Sequence, residues 1–338
     1  MEYRNLGKSG LKVSLVGLGT NQMGGRVDQE GTTAIVNKCI DVGVTFFDTA
    51  DMYGRGKSEE YLGVALKPHR HNVVIATKSG NPMGEGPYWG GASRKYLMDA
   101  VDDCLRRLDT DYIDLYMMHR WDSSTPVEET LRALDDMVRS GKVRYVGNSN
   151  YSGWQIAAAA CTAKAEHLAP MICAQNQYNL LQRDIERELV PACGAFGVGI
   201  IPFSPLSGGF LTGKYRQGEP APEGARLSGN SPMAARILND KNYESLEKLE
   251  KFAEGQGHTM TELAMSWLAS QPLVATIISG ATRPEQVEEN ARSADWRLSG
   301  EDLKEIDDIM GVAPPAPMFG GGPPGTRSQR PESRGQTT

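Results

Sequence analysis

The chain has 338 residues, 39% of them hydrophobic, and 42 acidic against 36 basic side chains leave a net charge of -6. A chain of this size can bury a sizeable core, its acidic balance argues against a general binder of nucleic-acid backbones, and it has no apolar run near the roughly 18 residues of a membrane span. The opening Met1-Glu2-Tyr3-Arg4-Asn5 lacks the apolar stretch of a signal peptide. Cys39, Cys104, Cys161, Cys173 and Cys193 are odd in number and widely spaced, which reads as free thiols in a reducing cytoplasm.

In chain order, Tyr3 to Leu6 and Leu11 to Val13 read as a hairpin around Gly7-Lys8-Ser9-Gly10. A first apolar run, Val13 to Gly19, leads to a helix near Asp28 to Val42. Thr45 to Asp48 precedes a helix from about Ser58, where Glu59 and Glu60 suit the positive end of the macrodipole. Val73 to Lys78 precedes Ser93 to Leu108, and Ile113 to His119 precedes Pro126 to Ser140. Ser93 and Thr125 are the expected N-caps, with Pro126 at the first helical position.

The second half repeats this rhythm. Val143 to Ser149 precedes a helix from Ser152, Met171 to Gln175 one near Asp184 to Phe196, and Gly199 to Phe203 an irregular stretch and helices from Asn242 to Ser270. Val274 to Ser279 precedes Pro284 to Arg292, and Gly300 to Met310 reads as an extra helix. Eight alternating units in roughly 300 residues favour a (β/α)8 TIM barrel over an open sheet, with the hairpin plugging its bottom. Residues 1–312 then form one barrel unit. The Pro- and Gly-rich composition of 313–338 predicts a disordered tail.

In such a barrel the active site lies at the C-terminal ends of the strands. Asp48, Lys78 and His119 fall at three neighbouring strand ends, and Tyr53 lies one loop beyond. Each has an ordinary reading as a cap, a solvated cation or a hydrogen-bonded imidazole; their coincidence points to chemistry. A phenol ordinarily titrates at about 10, and a nearby Lys78 ammonium, held by Asp48, is expected to lower that value. With His119 orienting a carbonyl oxygen, the set suits proton delivery as negative charge develops there. A hydride must then come from elsewhere, which points to a nicotinamide.

The stretch Gly43 to Gly54 (GVTFFDTADMYG) closely resembles the aldo-keto reductase signature, as do Ile113 to His119, Gly141 to Asn150, Gln175 to Leu181 and Glu285 to Asn290. The resemblance spans nearly the whole chain except the tail. It implies that Asp48, Tyr53, Lys78 and His119 are a catalytic tetrad and that a nicotinamide dinucleotide binds across the barrel mouth. By the same resemblance, Ser149, Asn150 and Gln175 match positions holding the carboxamide and Phe203 the residue stacked on the ring, with Gly19 and Thr20 beneath. Ser204, Leu206, Gly208 and Lys214 lie in a segment matching the one over the pyrophosphate, to which Arg226 adds charge. Thr282, Arg283, Gln286, Glu289 and Asn290 match the adenosine end. One large branch carries a lysine and an arginine where Gly280 and Gln286 align. This chain resembles instead the branch of bacterial sugar- and aldehyde-reducing enzymes and potassium-channel β subunits. That leaves Arg283 as the expected partner of a 2′-phosphate, so NADP(H) is expected, with NAD(H) open.

Other motifs fall short. Gly17-Leu18-Gly19-Thr20-Asn21-Gln22 lacks the third glycine of a dinucleotide fingerprint, and Gly208 to Lys214 has Walker A spacing but ends in Tyr215 rather than Ser or Thr. His69, His71, His167 and His258 form no metal-ligand spacing. Trp89 and Trp121 either wall a pocket for an apolar or ring-bearing carbonyl, with Met23 bordering it, or simply pack their own loops; the two readings stand level. The expected partner is thus a small-molecule carbonyl, with no nucleic acid or membrane; self-association is left open. A regulatory subunit that senses the cofactor is the alternative, because the channel subunits share the tetrad.

Overall fold

The computed structural model describes residues 1–229 and 231–312; the expected tail over 313–338 lies outside the described residues. Strands β1 (Tyr3–Asn5) and β2 (Lys12–Ser14) pair antiparallel. Then β3 (Val16–Gly19) is followed by α1 (Gln29–Asp41), β4 (Phe46–Asp48) by α2 (Lys57–Leu66), β5 (Val74–Ser79) by α3 (Arg94–Leu108) and β6 (Ile113–Met118) by α4 (Val127–Arg139). Next come β7 (Val143–Ser149) with α5 (Gly153–Ala165), β8 (Met171–Gln177) with α6 (Leu189–Phe196), and β9 (Gly199–Phe203) with α7 (Pro232–Ile237), α8 (Asp240–Gly255) and α9 (Met260–Ala269). β10 (Ile277–Gly280), α10 (Pro284–Arg292) and α11 (Gly300–Met310) complete the order. Strands β3 to β10 close into one barrel, β10 pairing parallel with β3. This is the (β/α)8 TIM barrel.

The strands are buried on both faces, which is why they read as short continuous apolar runs rather than as alternation. Phe46, Ala76, Leu115, Met117, Cys173, Ile201 and Ile278 fill the barrel, and Leu6 and Val13 of the hairpin join that cluster. The hairpin is therefore a plug. Its seating depends on Gly7, whose φ of +59° is left-handed and whose added Cβ would lie 2.6 Å from the Gly197 carbonyl oxygen. Gly7→Ala is expected to cost on the order of 2 kcal/mol by combining backbone strain with overpacking, read as a lower midpoint in urea denaturation.

Three expectations need correction at element boundaries. The run Val13 to Gly19 is not one strand: the Ser14 hydroxyl accepts from the Thr45 amide (3.0 Å), and the chain passes from plug to barrel there. Helix α4 starts after Pro126 rather than after Thr125, because the Thr125 hydroxyl donates to Asp122 Oδ2 (2.8 Å) and is not free to cap. The expected helix from Asp184 to Phe196 is a 3₁₀ turn, Asp184–Arg187, followed by α6, with the non-helical Glu188 between them. Arg183 holds that turn by donating to Glu186 Oε1 (2.7 Å) and Asp307 Oδ1 (2.6 Å). Elsewhere the caps are local: Asp28 Oδ1 accepts from the Gly31 amide at 2.9 Å.

Candidate active site

Parallel pairing in register brings the ends of β3, β4, β5 and β6 to one rim, and the side chains follow. Lys78 Nζ donates to Asp48 Oδ2 (2.8 Å) and to the Thr49 carbonyl (2.7 Å), with Lys78 fully buried and Asp48 3% exposed. The Lys78 ammonium lies 5.2 Å from the centre of the Tyr53 ring, which meets the His119 ring edge-on at 6.0 Å. The four residues thus form one contiguous group. Tyr53 opens a short turn in which Gly54, Arg55 and Gly56 all have positive φ. Arg55, Asn150, Ser204 and Ser207 are non-glycine residues with φ between 47° and 58° at the strand ends and their loops. Such strain persists where the surroundings over-determine the backbone, and it gathers at functional sites. Nothing in the sequence marks those positions.

The electrostatics revise one expectation. Burial pushes the Tyr53 phenol up, the Lys78 charge pulls it down, Asp48 and Asp51 push it up again, and the net is above the ordinary phenol range. Desolvation therefore outweighs the lysine, and Tyr53 keeps its proton at neutral pH. Burial also works against the Lys78 ammonium, yet Asp48 and the Tyr53 oxygen outweigh it and hold Lys78 above the ordinary lysine range. Burial, Lys78 and Arg120 push His119 down to about 3. Its imidazole is neutral at physiological pH and can orient an oxygen, but it holds no proton to donate as imidazolium.

That depression has a sign in stability. Below about 6.5 the unfolded chain takes up a proton that folded His119 refuses until about 3, so acid favours unfolding through this group. Asp51, pushed up to about 7, acts oppositely over much of that range. The expected result is therefore a difference: His119→Gln gains stability relative to the parent as pH falls from 6.5, measured by denaturation at several pH values.

Asp48, Tyr53 and His119 open into a cavity of about 820 Å³ across the barrel mouth, while Lys78 lies just beneath. Gly19, Thr20, Ser149, Asn150, Gln175 and Phe203 line its floor side. Ser204, Leu206, Gly208, Lys214 and Arg226 line the wall contributed by the loop after β9. Thr282, Arg283, Gln286, Glu289 and Asn290 line the end beside α10. Several are tied to the tetrad by hydrogen bonds that no local motif marks. The Gln175 amide donates to Asp48 Oδ1 (2.7 Å), the Thr20 hydroxyl to the Asp48 carbonyl (2.9 Å), and the Asn150 amide to the His119 carbonyl (3.1 Å). Arg26 also lines the cavity and donates to the Gly224 carbonyl (3.1 Å), bridging its two walls. No short motif marks that arginine.

The three expected substrate-wall residues are placed elsewhere. Met23 is 1% exposed inside the core, and Trp89 packs over Gly84 with half its surface in solvent. Trp121 meets Tyr151 and Trp154 edge-on at 5.2 and 5.3 Å. None of the three lines the cavity. A second groove of about 590 Å³ near the start of β5 and β6, lined by Lys67, Arg70 and Tyr112, contains none of the tetrad.

The volume falls within the roughly 300–1,000 Å³ of ligand pockets. Its walls offer Lys214, Arg226 and Arg283 to anionic groups, with the positive end of α10 beside Arg283. The orphaned, buried Nδ1 of His119 faces no protein partner among the described residues. A long anionic ligand suits such a site. No cluster of metal-binding side chains occurs among the described residues.

The family model of the aldo/keto reductase family matches residues 15–310. The chain belongs to the aldo/keto reductase family. An L-glyceraldehyde 3-phosphate reductase of Escherichia coli O157:H7 is 38% identical over 318 residues, covering 91% of this chain and 92% of that protein. A probable voltage-gated potassium channel subunit beta of Arabidopsis thaliana is 39% identical over 303 residues, covering 87% and 92%. The corresponding protein of Oryza sativa is 38% identical over 301 residues. This aldo/keto reductase is thus similar both to a reductase and to channel subunits. Among its described residues no helix is long and apolar enough to cross a membrane.

Proposed function

We propose that this aldo/keto reductase reduces an aldehyde or ketone with NADP(H), or oxidises the corresponding alcohol, and works in the cytoplasm as one domain over residues 1–312. The observation that carries the reading is the contiguous Asp48–Lys78–Tyr53–His119 group opening into a cavity whose walls carry the cations Arg26, Lys214, Arg226 and Arg283. When bound, the nicotinamide supplies the hydride. The protein's own part is proton delivery and placement. Tyr53, kept protonated by burial, donates from its phenol oxygen to the carbonyl oxygen as negative charge grows there. Lys78 stabilises the phenolate left behind, and Asp48 with Gln175 holds that lysine. Neutral His119 orients the carbonyl oxygen by hydrogen bonding. Ser149, Asn150, Gln175 and Phe203 would hold the nicotinamide end, and Lys214, Arg226 and Arg283 the phosphates.

The test follows NADPH and NADH absorbance with a panel of aldehydes, ketones and sugars, phosphorylated aldehydes included because of the reductase relative. Turnover supports the reading. Arg283→Ala is expected to weaken NADPH binding on the order of tenfold while leaving NADH binding unchanged, because only the former carries the 2′-phosphate a guanidinium would hold. Fluorescence titration with both cofactors checks it. A second reading, a cofactor-sensing regulatory subunit with little turnover, draws on the channel-subunit relatives. It predicts tight cofactor binding, no turnover on any carbonyl and a copurifying partner.

A further inference from the structure

Behind the tetrad lies a buried polar group that the reaction above does not use. Asp51 is 1% exposed and Glu59 is fully buried, and acidic side chains are almost never so buried unless paired. Glu59 is paired: Arg107 Nε donates to its Oε2 (2.6 Å) and the Thr77 hydroxyl to its Oε1 (2.6 Å). Asp51 has no such cation among the described residues. Its Oδ2 accepts from the Tyr96 hydroxyl at 3.2 Å, and its Oδ1 has no hydrogen-bond partner among the described residues. Asn81, whose carbonyl oxygen is 3.5 Å from the same Tyr96 hydroxyl, also has a buried, unpartnered Oδ1.

Two buried carboxyls therefore have one guanidinium near them, and it is engaged by Glu59. The titratable groups facing Asp51 are Glu59 from α2, Tyr96, Cys104 and Arg107 from α3, Tyr116 from β6 and Tyr53 from its own turn. Only Arg107 among them is a cation. A second buried negative charge in this setting is expensive, and a proton kept on Asp51 removes it while turning an orphan acceptor into a donor. In keeping with this, burial and the Glu59 charge push Asp51 up to about 7.

The connection to the tetrad is through one tight turn. The Asp51 amide donates to the Lys78 carbonyl (3.0 Å) and the Tyr53 amide to the Ala50 carbonyl (3.1 Å), so Asp51 is clamped between the lysine's backbone and the tyrosine. A negative charge on Asp51 raises the Tyr53 phenol, a smaller influence than burial, Lys78 or Asp48. We propose, resting on the reductase reading above, that Asp51 is a positioning residue for Tyr53 whose charge, set among Tyr96, Glu59 and Arg107, tunes how readily the phenol releases its proton.

The test is an ultraviolet titration of Tyr53 in the full chain, taken as the difference between the parent and Tyr53→Phe and repeated in an Asp51→Asn background. It needs no turnover. Removing the negative charge is expected to move the Tyr53 midpoint to lower pH; an unmoved midpoint overturns the proposal. Asp51→Ser removes the same charge with less bulk and serves if Asp51→Asn does not fold. With a working substrate, the pH profile of kcat/KM should show an inflection near 7 that Asp51→Asn abolishes. A purely structural residue would lower the profile without changing its shape, and that result also overturns the assignment. If the Tyr53 midpoint moves but no carbonyl turns over, the coupling stands and the reductase reading fails.

Discussion

Tyr53→Phe is expected to lower kcat for carbonyl reduction by about 10²–10⁴-fold, the usual contribution of a positioned proton donor. The substitution removes one oxygen and keeps the ring that meets His119 edge-on at 6.0 Å. The cations and loop residues of the cavity wall are untouched, so NADPH affinity should be unchanged. Stopped-flow turnover and fluorescence titration on the same preparation check both halves. His119 is a poor substitute donor because its imidazole is neutral at working pH, so retained turnover in this variant would sink the assignment of Tyr53.

Lys78→Met carries the largest expected cost to stability. Asp48, 3% exposed, would keep the Gln175 amide but lose its cation, and the Thr49 carbonyl would lose its donor. Leaving one partner of a buried ion pair without the other typically costs about 3–5 kcal/mol. Urea denaturation should show that loss, and reduction should fall with it because nothing remains to stabilise the phenolate. Adding Asp48→Leu to Lys78→Met should restore part of the stability and none of the activity. A double variant no more stable than the single one would show that the cavity left by lysine, rather than the uncompensated carboxylate, dominates.

Much of this architecture was legible along the chain. Strand–helix alternation is a local property, set by short apolar runs and by caps such as Ser93 and Asp28, so eight units and a closed parallel sheet follow from it. The tetrad was legible for the same reason. Asp48, Lys78 and His119 each sit at a strand end, and parallel register carries strand ends to one rim whatever the packing elsewhere. Boundaries were less legible where a side chain found a competing partner, as when Asp122 takes the Thr125 hydroxyl from its cap.

The substrate side is where local reading stopped. Trp89 and Trp121 are near His119 in sequence or loop order, yet the first packs over Gly84 and the second over Tyr151 and Trp154, outside the cavity. Aromatic type gives no direction to a loop. The direction of the Tyr53 shift was also out of reach, because it depends on how much water burial removes against the pull of one lysine.

By itself, then, the sequence determined the barrel, its plug and the gathering of Asp48, Lys78 and His119 at its rim, since these follow from periodicity and from where a strand ends, with Tyr53 one loop beyond. Only the tertiary structure decided that Tyr53 keeps its proton, that His119 stays neutral, and that Asp51 and Glu59 are both buried while one arginine pairs with Glu59. Those are properties of dielectric and distance. They arise from elements far apart in the chain, α2, α3 and the strand ends, closing over the same small volume.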